Sequence, residues 1–261
     1  MADVTVTHIG GPTALIAVDG WRLLTDPTFD PAGERWNFGW GAMSQKLTGP
    51  AVSAKDLPPI DAVLLSHDQH GDNLDHAGRA LLARAGTVIT TTPGAKRLCD
   101  NAIGLSPWQT TTLSAPGRPA IEITATPARH GPPGSRPIVG SVVGFALAWS
   151  GQTDGALWIS GDTVLFDGIR QVAERLDVSA ALIHLGGVRF PMSGPLRYTM
   201  NAQEAVDACR LLNPRTVIPL HYEGWKHFRQ SPAEARQVFA SSPFSGSTRW
   251  LEPGVPTTIS V

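Results

Sequence analysis

Few cysteines, no long apolar run and almost no net charge characterise this 261-residue chain. Its two cysteines, Cys99 and Cys209, lie far apart and form no CxxC motif, which argues against thiolate zinc sites and redox motifs and is compatible with a reducing compartment. No apolar run reaches about 18 residues, and the first residues lack the pattern of a signal peptide. We therefore expect a cytoplasmic protein with no membrane span.

The charges of the chain nearly cancel, since 21 basic and 22 acidic side chains leave a formal net charge of −1 at pH 7. Such a chain has no global field that would hold nucleic acid or an anionic membrane, a local basic patch aside. The GxSxG nucleophile elbow, the GxxxxGK[ST] phosphate loop and the GxGxxG dinucleotide turn are also missing. We expect a small-molecule substrate rather than nucleic acid, and a homo-oligomer is compatible with the sequence.

Apolar sequence is plentiful, because 42% of the residues are hydrophobic. The length fits one large α/β domain or two small ones, and we expect a single domain over residues 1–261. Hydrophobic periodicity predicts strands at 4–9, 14–18, 21–25, 62–66, 87–91, 110–113, 121–126, 142–149, 156–160, 180–185 and 216–220, and helices at 75–85 and 202–212. Since strands in both halves give way to helices, we expect two mixed sheets packed face to face with helices outside, a four-layer α/β/β/α sandwich.

Residues 26–59 interrupt this pattern with several prolines and glycines, as long functional loops do. The loop carries Trp36 and Trp40. These two side chains form either a hydrophobic lid that selects an apolar or sugar-like substrate, or a small packing cluster beneath the loop. In both cases we expect the loop to lie near the functional site.

Metal-type ligands follow the ends of four apolar strand runs: His67, His130, Asp162 and His221. In α/β proteins function tends to lie beyond the carboxyl ends of strands, where loops converge and the strands hold side chains rigidly. Imidazole and carboxylate ligands together suit Zn²⁺, and equally Mn²⁺ or Fe. The sequence therefore predicts a metal site at one edge of the fold.

The densest group of polar side chains spans residues 67–75, with two imidazoles and three carboxylates ahead of a predicted helix. Asp75 is expected to cap that helix, because aspartate is favoured at the N-cap position. His184 ends a strand, and the sequence leaves three roles open for it: a buried structural group, a group that supports a ligand, or a substrate contact. His76 and His227 are expected at the surface or behind the ligands.

These residues resemble the metallo-β-lactamase superfamily, and within it the branch of ascorbate-6-phosphate lactonases and N-acyl-phosphatidylethanolamine phospholipases. The resemblance runs from about residue 7 to residue 228. It is carried by His8-Ile-Gly10, Leu24-Thr-Asp26-Pro27, the Ser66-His67 loop, Ser160-Gly-Asp162-Thr163 and His221-Tyr-Glu-Gly-Trp225. Each motif is weak by itself, and their order along the chain makes them specific.

The first loop departs from the pattern His-x-His-x-Asp-His that this family usually has. If Gln69 is a one-residue insertion, His67 and His70 occupy the two histidine positions, Asp72 the aspartate position, and Asn73 stands where the last histidine belongs. We favour this register. The alternative keeps the spacing from His67 and puts Gln69 in a ligand position.

The resemblance implies one metal site from three histidines and a second site with a bridging aspartate, hence one or two divalent ions. The implied ligands are His67, His70 and His130 for the first site, Asp72 and His221 for the second, Asp162 as the bridge, and Asn73 as a weaker neutral ligand. Zinc is the expected metal, with manganese or iron as alternatives.

The activity that the resemblance implies is hydrolysis of an ester, lactone or phosphoester by a metal-activated water. Asp72 is the expected catalytic group, since it could orient the water and move a proton. Candidates for contact with the substrate or its developing charge are His184, Tyr222, Arg129, Arg136, Arg189, Trp36 and Trp40. Two alternatives stay open: a phosphodiesterase or nuclease on the same metal core, and a non-catalytic metal-binding relative with a degenerate site.

Overall fold

The computed structural model describes residues 3–39, 41–98 and 100–261. The strands are β1 (Asp3–Gly10), β2 (Thr13–Val18), β3 (Trp21–Thr25), β4 (Arg35–Asn37), β5 (Met43–Gln45), β6 (Ala62–Leu64), β7 (Thr87–Thr91), β8 (Ala102–Leu105), β9 (Thr110–Leu113), β10 (Ile121–Pro127), β11 (Val143–Trp149), β12 (Ala156–Ile159), β13 (Val178–His184), β14 (Thr216–Leu220) and β15 (Pro256–Ser260). The helices are α1 (His76–Leu82), α2 (Thr92–Ala95), α3 (Arg136–Val139), α4 (Asp167–Arg175), α5 (Ala202–Leu212) and α6 (Pro232–Ala240), and Pro191–Ser193 form a 3₁₀ turn.

Two mixed sheets form the centre of the fold, as the sequence predicts. The seven-stranded sheet has the order β15-β1-β2-β3-β6-β7-β8, and the six-stranded sheet has the order β14-β13-β12-β11-β10-β9. Strands β15, β1, β2 and β3 pair antiparallel, and β3, β6, β7 and β8 pair parallel. In the second sheet β9 to β12 pair antiparallel and β12 to β14 parallel. Each half therefore contributes a meander followed by parallel strands.

The two sheets enclose one apolar core and carry helices on their outer faces. Val4 of β1 and Phe145 of β11 belong to the core between the sheets. On the outer face of the second sheet Trp158 of β12 packs in one cluster with Val206 of α5, while α1 contributes Leu81 to a cluster on the outer face of the first sheet. Each such buried side chain stabilises the fold by about 1.5–3 kcal/mol. The layers are those of the predicted α/β/β/α sandwich.

The carboxyl ends of several strands meet at one edge of the molecule. Strands β3 and β6 run in the same direction in the first sheet, as do β10, β12, β13 and β14 in the second. The ring nitrogens of His70, after β6, and His130, after β10, lie 3.0 Å apart, so the two sheet edges adjoin. Side chains from both halves of the chain can therefore converge there.

Local signals predict some boundaries well and miss several elements. Asp75 caps α1 by accepting a hydrogen bond from the Gly78 amide, as predicted, and Asn201 caps α5 in a capping box with Glu204. Strand β15 and helices α4 and α6 were not predicted, and the loop over residues 26–59 contains the hairpin β4–β5. None of the helices in the described ranges is long and apolar enough to cross a membrane.

Candidate metal centre

Three buried imidazoles form a first cluster. His67 Nε2 lies 3.1 Å from His70 Nδ1, and His130 Nε2 lies 3.0 Å from the same His70 atom. Zinc–nitrogen bonds of about 2.0–2.1 Å at a tetrahedral angle separate two ligand nitrogens by about 3.3 Å. The three nitrogens therefore fit one metal ion with a small expansion of the cluster.

The hydrogen bond on the far side of the His130 ring leaves the lone pair of Nε2 directed at the centre of this cluster, and the pKa values of His67 and His70 show that these rings are neutral. His130 Nδ1 lies 2.8 Å from the Tyr198 carbonyl oxygen, which can only accept, so Nδ1 carries the proton and Nε2 is bare. Burial, with the neighbouring His70 and His130, lowers the pKa of His67 well below its ordinary value. Burial and His130 lower the pKa of His70 to about 4. Both rings are neutral at pH 7, the form that binds metal.

The register of the first loop follows from the same geometry. His70 joins His67 in the cluster, whereas Gln69 is exposed and its side-chain amide lies over Gly140. The interpretation that places Gln69 in a ligand position is therefore wrong for this structure. Gly71 follows, and its missing side chain is required, because a Cβ there would lie 2.2 Å from Cε3 of Trp36.

Asp72 lies beside the first cluster with one oxygen held and one free. His227 Nε2 donates to Asp72 Oδ2 over 2.8 Å, and His227 Nδ1 lies 2.6 Å from the Ser44 hydroxyl. Asp72 Oδ1 is buried and has no hydrogen-bond partner. Burial alone would raise the pKa of Asp72, but His221 and His227 hold it well below its ordinary value. The group is therefore an ionised carboxylate with one oxygen that accepts no hydrogen bond.

A second buried cluster contains Asp162, His184 and His221. Asp162 Oδ1 lies 2.9 Å from His184 Nδ1 and 3.4 Å from His221 Nδ1. His221 Nε2 lies 3.5 Å from Asp72 Oδ2, so its ring stands between two carboxylates. Burial alone would lower the pKa of His221, but Asp162 and Asp72 raise it to about 9. Burial acts to raise the pKa of Asp162, and the surrounding histidines hold it far below its ordinary value.

Asn73 and Asp26 lie behind these ligands. Asn73 Nδ2 is 3.4 Å from the Ser66 hydroxyl, and its Oδ1 is buried without a partner. Asp26 Oδ1 accepts a hydrogen bond of 2.6 Å from the Ser66 amide. Burial raises the pKa of Asp26 to about 8 despite that bond.

Backbone strain is concentrated at the same edge. His221 has a φ of 55° and Asp26 a φ of 29°, a region that costs a residue other than glycine about 1–3 kcal/mol. The His221 amide donates to the Gly11 carbonyl over 2.8 Å, which helps to hold this conformation. Strained residues persist where the surroundings fix them, and they occur frequently at functional sites.

Some of the residues predicted to contact the substrate lie away from the two clusters. Trp36 stacks on His76 with ring centroids 4.4 Å apart, which supports the packing interpretation, and Trp40 lies outside the described residues. Tyr222 packs edge-on against Trp250 at 5.2 Å in the apolar layer around α5 and α6, so its position does not support substrate binding. Burial raises the pKa of Tyr222 to about 12.

Arg129 lies beside the first cluster, and His184 lies within the second. The Arg129 guanidinium lies 4.8 Å from the ring centroid of Phe166, and with Arg136 it lines a cavity of about 300 Å³ adjoining His130. His184 is fully buried and belongs to the second cluster rather than to an open surface. His227, expected at the surface or behind the ligands, is buried behind Asp72. Its link to Ser44 spans 183 residues, which no local sequence signal could reveal.

A small cavity of about 40 Å³ opens over the first cluster. His70, Asp72 and His130 line its base. Its other walls are apolar or aromatic: Phe38, Ile138, Val139, Val188, Phe190 and Tyr198. Two imidazoles of the first cluster and Asp72 therefore lie at the base of a cavity with mainly apolar walls.

Known proteins share both this sequence pattern and this architecture. The family model of the beta-lactamase superfamily domain matches residues 21–222. A UPF0173 metal-dependent hydrolase from Pelotomaculum thermopropionicum is 30% identical over 218 residues, which cover 80% of this chain and 87% of the relative.

Solved structures with the same fold cover nearly the whole chain. An isothiocyanate hydrolase from Delia radicum gut bacteria superposes with a TM-score of 0.82 at 19% identity, covering 98% of this chain and 100% of that chain. Igni18, a metallo hydrolase from the archaeon Ignicoccus hospitalis, superposes with a TM-score of 0.72 at 24% identity, covering 99% of both chains. The family match and the relative together show that this chain belongs to the metallo-β-lactamase superfamily, in the UPF0173 family of metal-dependent hydrolases.

Proposed function

We propose that this metal-dependent hydrolase cleaves a small, uncharged carboxylic ester or lactone with water activated at the centre of His67, His70 and His130. The observation that carries the proposal is the apolar and aromatic lining above these imidazoles, with Asp72 at its base; the cavity there is about 40 Å³ and must widen to admit an ester. A phosphoester brings negative charge, which proteins usually meet with arginine or lysine. Among the described residues that line this cavity, none is arginine or lysine; Arg129 and Arg136 line the separate cavity of about 300 Å³ that adjoins it at His130.

The metal ion would be held by His67, His70 and His130, and when bound it lowers the pKa of water from 15.7 to about 7 and polarises the substrate oxygen. Asp72 lines this cavity, and its Oδ1, which has no hydrogen-bond partner, would accept the proton that the attacking water loses. His227 donates to the other oxygen and keeps the carboxylate oriented. The aromatic and aliphatic walls exclude bulk water, which strengthens each of these interactions.

Three imidazole nitrogens favour zinc, and manganese or iron remain alternatives on the same ligands. The branch of lactonases and phospholipases stays a prediction, as do a cytoplasmic location and a homo-oligomer. The name of one structural neighbour, isothiocyanate hydrolase, refers to another uncharged carbon electrophile. This supports adding an isothiocyanate to the substrate screen.

The test combines metal content with a substrate panel. Purified protein is analysed for metals and assayed on p-nitrophenyl butyrate, a γ-lactone, an isothiocyanate and bis(p-nitrophenyl) phosphate. Loss of a general base reduces the rate about 10²–10⁴-fold, so Asp72→Asn should lose this much activity on the ester or lactone and keep its metal. Asp167→Asn, a change of an exposed carboxylate on α4, serves as the matched control.

Two outcomes would contradict the proposal. Preferential cleavage of the phosphodiester would favour the phosphodiesterase or nuclease alternative. A metal-loaded protein that turns over none of the four substrates, with Asp72→Asn indistinguishable from the parent, would favour the non-catalytic alternative.

A further inference from the structure

We propose that Asp162, His184 and His221 bind a second divalent metal ion, with His184 supplying the imidazole that position 73 does not have. The proposal rests on the proposed function only in taking the first cluster as the metal centre of hydrolysis. It concerns a ligand that the sequence comparison with the family pattern did not identify.

The topology brings these three side chains together. Asp162, His184 and His221 follow or end β12, β13 and β14, which are neighbours in the second sheet. One ligand atom from each lies within 4.8 Å of the others. The two distances to Asp162 Oδ1, 2.9 Å and 3.4 Å, lie on either side of the separation of about 3.3 Å between two ligands of a tetrahedral ion.

The buried polar atoms of this cluster lack hydrogen-bond partners. His184 faces Asp162 with Nδ1 at 2.9 Å and Asp26 with Nε2 at 4.0 Å. His221 faces Asp162 and Asp72 with its two nitrogens. His184 Nε2, both nitrogens of His221 and Asp162 Oδ2 are buried without a hydrogen-bond partner. Buried polar atoms in native structures are nearly always paired, and an ion bound among these groups would supply the missing partner.

His184 also has a partner of the kind that metal-binding histidines use. Its Nε2 is buried, has no hydrogen-bond partner and points toward Asp26 Oδ2. A histidine that binds metal through one nitrogen commonly donates its other N–H to a carboxylate or carbonyl. With Nε2–H directed at Asp26, His184 Nδ1 is left free for the ion.

Asn73 is a poor alternative as the ligand. It is neutral, and its Nδ2 faces the Ser66 hydroxyl at 3.4 Å, which leaves only its amide oxygen for a cation. Two buried carboxylates, Asp72 and Asp162, face the two histidines. A divalent ion held by carboxylate and imidazole matches this charge better than an amide oxygen can.

The experiment is a cobalt titration of metal-free protein, followed by visible absorption and elemental analysis. The parent should bind two Co²⁺ ions per chain. His184→Ala should still bind the first ion, and its affinity for the second ion should fall by more than about 100-fold. A fall of this size indicates a lost ligand, because losing only a hydrogen bond behind a ligand lowers metal affinity by about 10–100-fold. Asn73→Ala should keep two ions, and His8→Gln, at another buried histidine, is the matched control.

The proposal is overturned if the parent binds only one ion, or if His184→Ala lowers the affinity for the second ion by less than about 100-fold. It is also overturned if Asn73→Ala, rather than His184→Ala, abolishes binding of the second ion. If His184→Ala does not fold, the ion counts of His184→Asn and Asn73→Ala distinguish the two candidate ligands in the same way. Ester hydrolysis is measured separately. Two bound ions without hydrolysis would contradict the proposed function and leave the second metal site supported. Hydrolysis by a protein that binds one ion would support the proposed function and contradict the second site.

Discussion

Replacing Lys46 with methionine tests whether a buried ion pair holds the metal-binding loop in place. Lys46 is 4% exposed, Asp75 is fully buried, and Nζ lies 2.8 Å from Oδ2. Methionine keeps most of the apolar stem and removes the charge. Asp75 would still accept from the amides of Gly78 and Asp30, but it would lack a cation. Breaking a buried ion pair lowers the free energy of unfolding by about 3–5 kcal/mol. Because the two amides still donate to Asp75, we expect a loss at the lower end, about 3 kcal/mol.

The loss is measured by urea and thermal unfolding of metal-free protein. At about 2–4 °C per kcal/mol for a chain of this size, the Tm should fall by about 6–12 °C. Arg210→Met, which breaks an ion pair whose partners are 53% and 39% exposed, is the control and should cost less than about 1 kcal/mol.

The double variant Lys46→Met with Asp75→Asn should recover most of the loss, because it removes both charges and keeps a capping side chain. A Lys46→Met protein as stable as the Arg210→Met control would refute the reasoning.

Three further predictions follow from the site. Gly71→Ala should destabilise the protein by about 1–3 kcal/mol and alter the tryptophan fluorescence, since Trp36 must move, whereas Gly246→Ala, in open space, should do neither. His227→Leu should lower kcat about 10–100-fold with metal content unchanged, since Asp72 loses its donor; an equal loss in His76→Leu would count against this. For metal-free protein, the pKa of His70 is about 4 in the folded chain against 6.5 unfolded, so the unfolded chain binds more protons between these values. Stability should therefore fall by about 3 kcal/mol as pH drops from 6.5 to 4, and a Tm that is flat over this window would contradict it.

The sequence could predict the sheets and most candidate ligands because both are encoded locally. Apolar runs define the strands, and His67, His130, Asp162 and His221 come within three residues of their ends. Parallel strands carry such residues to one edge whatever the details of the loops.

The remaining features depend on packing between distant segments. Ser44 supports His227, and Asp26 faces His184, across long separations in the chain. The position of Tyr222 was also beyond local reasoning: it adjoins His221 in sequence, but the left-handed φ of His221 redirects the backbone and Tyr222 packs beside Trp250.

The proposed first metal centre would take His67 and His70 from the loop after β6 and His130 from the loop after β10, one loop from each sheet. A metal ion bound there acts as a cross-link between the two halves of the chain. At a free concentration of about 1,000 times its Kd, such an ion adds about 4 kcal/mol to the stability of the folded state. Neither half can hold the ion alone, so chelation should release the two sheets from each other first at this edge, while the apolar core behind it stays closed.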